Sequence, residues 1–107
     1  MSFSIAIAIE QPDRKLALFG ASDRHLRMIR EAFGVQLVSR DEELRLSGDR
    51  EQVGRAALVL EQMQRKLRRQ EWLSGEEVSL AISGVVARDR EAAEGEIDVY
   101  VRGRTIA

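Results

Sequence analysis

No cysteine occurs in the sequence, which excludes disulfides, thiolate nucleophiles and cysteine-based zinc sites and fits an intracellular origin. His25 is the single histidine. A multi-histidine metal site is therefore excluded, and a His–carboxylate dyad would need a partner that no spacing supplies. The residue falls toward the apolar side of a helix, where a packed or half-exposed structural role is expected. No apolar run approaches the ~20 residues needed to span a bilayer. The opening Phe3 to Ile9 is short, lacks a basic leader and alternates, which is unlike a signal peptide. A cytoplasmic chain with no membrane partner is expected. Neither sign of charge dominates, with 17 Lys and Arg against 18 Asp and Glu. Contact with nucleic acid would thus have to come from a local basic patch. None of the glycines is followed by lysine, so the cradle that a P-loop offers to phosphates is absent. The carboxylates form no metal-ligand spacing and no constellation with a nucleophile, so no enzyme activity, cofactor or metal is expected of this chain.

What is present is a regular alternation of strand and helix signals over 107 residues, the size of one compact domain. Phe3, Ile5, Ile7 and Ile9 alternate with Ser4, Ala6, Ala8 and Glu10 and predict a first strand. Pro12 and Asp13 mark a turn, after which Leu16 and Leu18 resume the alternation and predict a strand from Lys15 to Phe19 paired in a hairpin. Ser22 is placed as the N-cap of a helix that buries Leu26, Met28, Ile29, Ala32 and Phe33 and stops at Gly34. Val35 to Leu46 reads as a second hairpin turning at Asp41 and Glu42. Asp49 and Gln52 form a capping-box pattern opening a long helix with Val53, Ala56, Ala57, Leu60, Met63 and Leu67 on one side, ending near Trp72. Ser74 and Glu77 open a third helix containing Val78, Ala81, Ile82, Val85 and Val86. A charged loop from Arg88 to Glu94 and a last strand from Ile97 to Val101 complete the pattern.

The stretch Leu16-Ala-Leu-Phe-Gly20, Leu26, Ile29, Phe33-Gly-Val35, Leu37, Leu44-Arg-Leu-Ser-Gly48, Val53, Ala56 resembles the KH domain in the order of its elements and in its two terminating glycines. Over the whole chain, the leading strand, Gly20-Ala-Ser-Asp-Arg-His-Leu26, Phe33-Gly-Val35, Leu46-Ser-Gly48, the helix after Ser74 and the closing Val101-Arg-Gly-Arg-Thr-Ile106 resemble the N-terminal region of PhoH-like proteins. The resemblance implies an α+β fold: a KH-like sheet of three to five strands with amphipathic helices packed on one face, its core over residues 15–70 within a single domain over 1–107. It implies that the chain is the N-terminal domain of a longer ATPase, with ATP and Mg²⁺ expected only in the absent ATPase domain. It also implies single-stranded RNA and that ATPase domain as partners, and leaves a homo-oligomer open.

A KH resemblance directs attention to the G-x-x-G loop, which clamps backbone nucleotides by close approach of the main chain. Here Gly20 opens the loop, but Asp23 stands where the second glycine belongs, and the short helix expected before the loop is missing from the pattern. Lys15, Gly20, Ser22, Arg24, Arg27 and Arg30 are the candidate nucleic-acid-binding residues. The three arginines, spaced by three, share a helix face beside the loop. The structural alternative for them is a solvated face with Glu31 as internal partner. Trp72 reads as a lid on the core edge, with base stacking as its alternative. At the level of function, the alternative to RNA contact is a protein-interaction or oligomerisation module. The alternating first strand favours that reading, because it could pair across an interface.

Overall fold

The structure, a computed structural model, describes residues 2–88. The expected strand from Ile97 to Val101 and all of the expected loop except Arg88 lie outside the described residues. Three strands, β1 (Phe3–Ala8), β2 (Gln36–Arg40) and β3 (Glu43–Gly48), form an antiparallel sheet in the order β1-β3-β2. The helices are α1 (Lys15–Phe19), α2 (Arg24–Phe33), α3 (Arg50–Leu67) and α4 (75–88). The fold is α+β, with the helices packed against the sheet.

The register explains the sheet's two faces. Ile7 lies opposite Leu44, and Ile5, Leu46 and Leu37 form a row across all three strands. Leu37, Leu44 and Leu46 are fully buried beneath the helices. On the other face Ala6, Arg45 and Val38 form the corresponding row, and Val38 is exposed. This is the period of two that separates a buried from a solvated face. The first strand is therefore integral to the sheet and not an addition to a core that begins at residue 15. Leu26, Ile29 and Phe33 of α2, with Val53, Ala56, Leu60, Met63 and Leu67 of α3, close the core over the sheet.

The segment from Lys15 to Phe19 corrects the expected hairpin: it is a helix. Pro12 begins a 3-10 turn over Pro12–Arg14 that feeds directly into α1, a position where proline's fixed φ and missing N–H cost nothing. The Arg14 guanidinium donates to the carbonyls of Leu67 at 2.8 Å and Gln70 at 3.1 Å. It thereby satisfies groups left open at the end of α3 and pins α1 there. Ala17 and Leu18 are buried while Leu16 is exposed, so the two leucines do not share the face that a strand would give them.

The second hairpin turns at Asp41, which takes a left-handed φ of 57°. At the start of α3 the Asp49 carboxylate accepts from the Gln52 amide at 3.2 Å, half of the expected capping box. The helix ends at Leu67, short of the expected Trp72, and Trp72 is 61% exposed; it covers no core edge. The cap of α4 is reciprocal: Glu77 N–H donates to Ser74 Oγ at 3.1 Å and Ser74 N–H to Glu77 Oε1 at 3.0 Å. The Ser74 N–H, assisted by the Gln70 amide, holds the Glu77 carboxyl below its ordinary pKa. The cap's contribution is accordingly present at neutral pH and lost as pH falls through that lowered value. Val78, Ala81 and Val85 of α4 are buried, whereas Leu80 is exposed.

Gly54 lies in the middle of α3, exposed, with open space where a Cβ would stand. Gly54→Ala should therefore stabilise the protein by about 0.5–1 kcal/mol, because it removes backbone freedom from the unfolded chain without a clash. Urea denaturation of the two proteins measures it; an unchanged or lower midpoint would contradict this placement of the helix face.

Candidate nucleic-acid interface

The loop between α1 and α2 requires unusual backbone at three of its four residues. Gly20 has φ 82° and ψ 164°, and the Asp23 amide donates to its carbonyl at 3.1 Å. Ser22 and Asp23 both adopt left-handed conformations, with φ 54° and 57°. Aspartate is one of the few residues besides glycine that tolerates this region. The loop consequently keeps, at its fourth position, the kind of backbone that a second glycine would supply. Gly20 is irreplaceable for a second reason: a Cβ there would stand 2.8 Å from the His25 ring. Of the packed and half-exposed placements expected for His25, the structure has the packed one: it is buried, and its Nδ1 lies 3.1 Å from the Leu18 carbonyl. The imidazole thus fastens the loop to the end of α1.

Two sequence expectations fail here. A short helix does precede the loop, since α1 ends at Phe19 and Gly20 closes it, its N–H donating to the Leu16 carbonyl at 2.8 Å. Ser22 is not an N-cap. The helix begins after it, with Asp23 in the cap position; the Asp23 side chain caps no first-turn amide of α2, and the Arg24 amide donates to the Ala21 carbonyl. Amides left without a side-chain cap at a helix start favour anions.

The structure brings Gly20, Ser22, Arg24, Arg27 and Arg30, but not Lys15, together around the loop and α2, without making them converge on one point. Arg24 is exposed and makes no hydrogen bond or ion pair among the described residues; its guanidinium lies beside Gly75 at the start of α4. Arg27 folds back over the loop and donates to the Ser22 carbonyl at 2.9 Å. Arg30 reaches the Leu37 carbonyl on β2 at 3.4 Å. Lys15 stands apart, with Nζ 3.2 Å from the Asp41 carbonyl at the β2–β3 turn. The result is a basic band running from the start of α4, across the loop, to the edge of β2. Exposed Leu16 and Trp72 line a separate cleft with Asp13, Arg14, Ala17 and Glu71, and no candidate residue takes part in it. Among the described residues no group of His, Asp and Glu is placed to hold a metal ion, and no helix is long and apolar enough to cross a membrane.

No family model matches the chain, and no curated protein matches it. Solved structures do. The chain is similar to the crystal structure of Dim2p from Pyrococcus horikoshii OT3, with 16% identity, a TM-score of 0.61, and coverage of 77% of this chain and 48% of that one. It is likewise similar to a protein of unknown function from Aeropyrum pernix, with 14% identity, a TM-score of 0.59, and coverage of 89% of this chain and 54% of that one. The chain thus spans about half the length of each. At these identities the likeness concerns the fold.

Proposed function

We propose that this chain is a non-catalytic domain that contacts single-stranded RNA through the loop at residues 20–23 and the arginines of α2, of the kind found at the N-terminus of PhoH-like ATPases. The observation that carries this reading is the unit α1, Gly20 loop, α2. A short helix delivers the chain into a four-residue loop with three positive φ angles, which opens onto a helix start without a side-chain cap and next to Arg24 and Arg27. A KH loop works by this close approach of main chain to the nucleotide backbone. Arg24, Arg27 and Arg30 supply the charge that phosphates require, and a helix start adds its partial positive charge. Asp23 opposes it as the one carboxylate within the loop.

Fluorescence anisotropy of a labelled single-stranded RNA tests the reading. Binding should weaken steeply as salt rises, since neutralising phosphates releases counterions. Asp23→Gly should tighten it by about tenfold, because it removes a like charge and replaces an aspartate held at positive φ by the residue best suited to that backbone. Saturable binding that ignores salt, or an Asp23→Gly variant that binds no better than wild type, would contradict the proposal. The alternative, a protein-interaction module, draws on a different part of the molecule, the free edge of β1.

A further inference from the structure

The sheet has two edges, and the structure treats them differently. At the β2 edge Arg30 occupies the outward Leu37 carbonyl, a side-chain guard of the kind that keeps edges from pairing. At the β1 edge, the Ile9 amide donates inward to the Glu42 carbonyl at 2.9 Å. In an antiparallel ladder this fixes the odd-numbered residues of β1 as bonded to β3 and the even-numbered ones as facing outward. Gln64, buried on α3, takes two of the outward groups: its Nε2 donates to the Ala8 carbonyl at 3.2 Å, and its Oε1 accepts from the Glu10 amide at 2.8 Å. Among the described residues, nothing bonds to the outward backbone groups of Ser4 and Ala6. Phe3–Ala8 contains no proline, charge or bulge.

α3 runs alongside this edge in the direction of β1. Arg50 lies over the Phe3 ring at 4.8 Å, Ala57 borders Ile7 and Ala8, and Gln64 clamps the strand end. Gly54 stands one helical turn before Ala57, on the same stripe. Above the middle of the open edge the helix therefore presents two of its smallest side chains, while Phe3, Ile5 and Ile7 beneath are only half-buried.

We infer that the free edge of β1 pairs antiparallel with β1 of a second copy of this chain. The segment is complementary to itself. A twofold axis through Ile5 sets Ser4 of one copy against Ala6 of the other, and these outward-facing residues exchange backbone hydrogen bonds as narrow pairs do. The same register sets Ile5 against Ile5 and Phe3 against Ile7, apolar on apolar, on the helix side. Gly54 and Ala57 leave room for the two α3 helices to approach. The charged rim carries both signs, with Arg65 3.3 Å from Glu61 and Arg68 2.8 Å from Glu10, so two copies meet without net repulsion. The product is one continuous sheet with β2 at each outer end, which leaves both α2 faces accessible.

Sedimentation equilibrium of the full chain tests this independently of any RNA. A reversible monomer–dimer equilibrium is expected at micromolar to high-micromolar concentration. Ala6→Pro removes an outward N–H that the monomer does not use, a change edge strands tolerate. Gly54→Lys improves helix propensity while placing a long charged side chain between the two α3 helices. Each should weaken the dimer by at least about tenfold with unchanged far-ultraviolet circular dichroism. Val38→Lys, on the β2 side, should leave it intact. A wild type that stays monomeric throughout overturns the proposal, as does a dimer that survives both Ala6→Pro and Gly54→Lys.

Discussion

Phe33→Ala should cost about 3–5 kcal/mol of stability, the range for truncating a buried phenylalanine. Phe33 is the last residue of α2 and only 5% exposed; Ile29, one turn before it, is completely buried. Both belong to one apolar cluster with Leu60 and Met63 of α3. The structure holds this end of α2 in place from several sides. Gly34 follows at φ 63° with its amide on the Arg30 carbonyl at 2.8 Å, and Val35 is buried just beyond it. A cavity at Phe33 therefore has little freedom to collapse, which puts the loss at the larger end of what such truncations cost. Arg65→Ala is the contrasting case. Its ion pair with Glu61, at 3.3 Å, lies within one helix face with both side chains more than half exposed, so the change should cost about 0.5 kcal/mol or less. Equilibrium urea denaturation of the two variants beside wild type gives the comparison; equal losses would mean that the helix faces are assigned wrongly.

Replacing Arg24 and Arg27 together by Glu should lower single-stranded RNA affinity by at least about a hundredfold at low salt. Each substitution removes a positive charge and adds a negative one, so the formal charge of −1 becomes −5, two units per residue. The change is concentrated beside the helix start where the phosphates are proposed to lie. Among the described residues Arg24 has no hydrogen-bond or ion-pair partner to lose on replacement, whereas Arg27 gives up its bond to the Ser22 carbonyl. Arg24→Glu alone therefore separates charge from loop architecture, and circular dichroism checks the fold. Measured anisotropy should show that the residual binding of the double variant has also lost part of its salt dependence. Wild-type affinity in the double variant would reduce the basic band to a solvated surface.

The elements that could be read from sequence are those in which period and cap agree. α3 combines a long 3.6-residue repeat with the Asp49 cap, and α4 opens on the reciprocal pair Ser74 and Glu77. β1 has an alternation that only a half-buried strand satisfies. α1 was misread because five residues are too few to separate the two periods. What decides for a helix is remote: Arg14 reaching Leu67 and Gln70, some 50 residues away in the chain. The loop was half-legible. Gly20 announces itself, but a Ser before an Asp-Arg pair looks like an N-cap, and nothing local shows that Ser22 and Asp23 both turn left-handed. The role of Gln64 was missed although a signal existed, since it sits between Leu60 and Leu67 on the buried stripe, where a polar residue calls for a specific partner. Trp72 was misplaced by the assumption that α3 continued to it.

In the RNA contact proposed above, the packing of His25 on Gly20 would bear on the speed of binding as well as on its strength. Because the imidazole fills the space beside the glycine and is itself held at the Leu18 carbonyl, the loop is shaped from inside by the core, before any ligand arrives. Its ordering entropy is spent during folding, and a strand bound there as proposed would meet a pre-organised loop. Association should then proceed in a single kinetic phase without a slow rearrangement, and differences in affinity between RNA sequences should appear in how long the complex lasts.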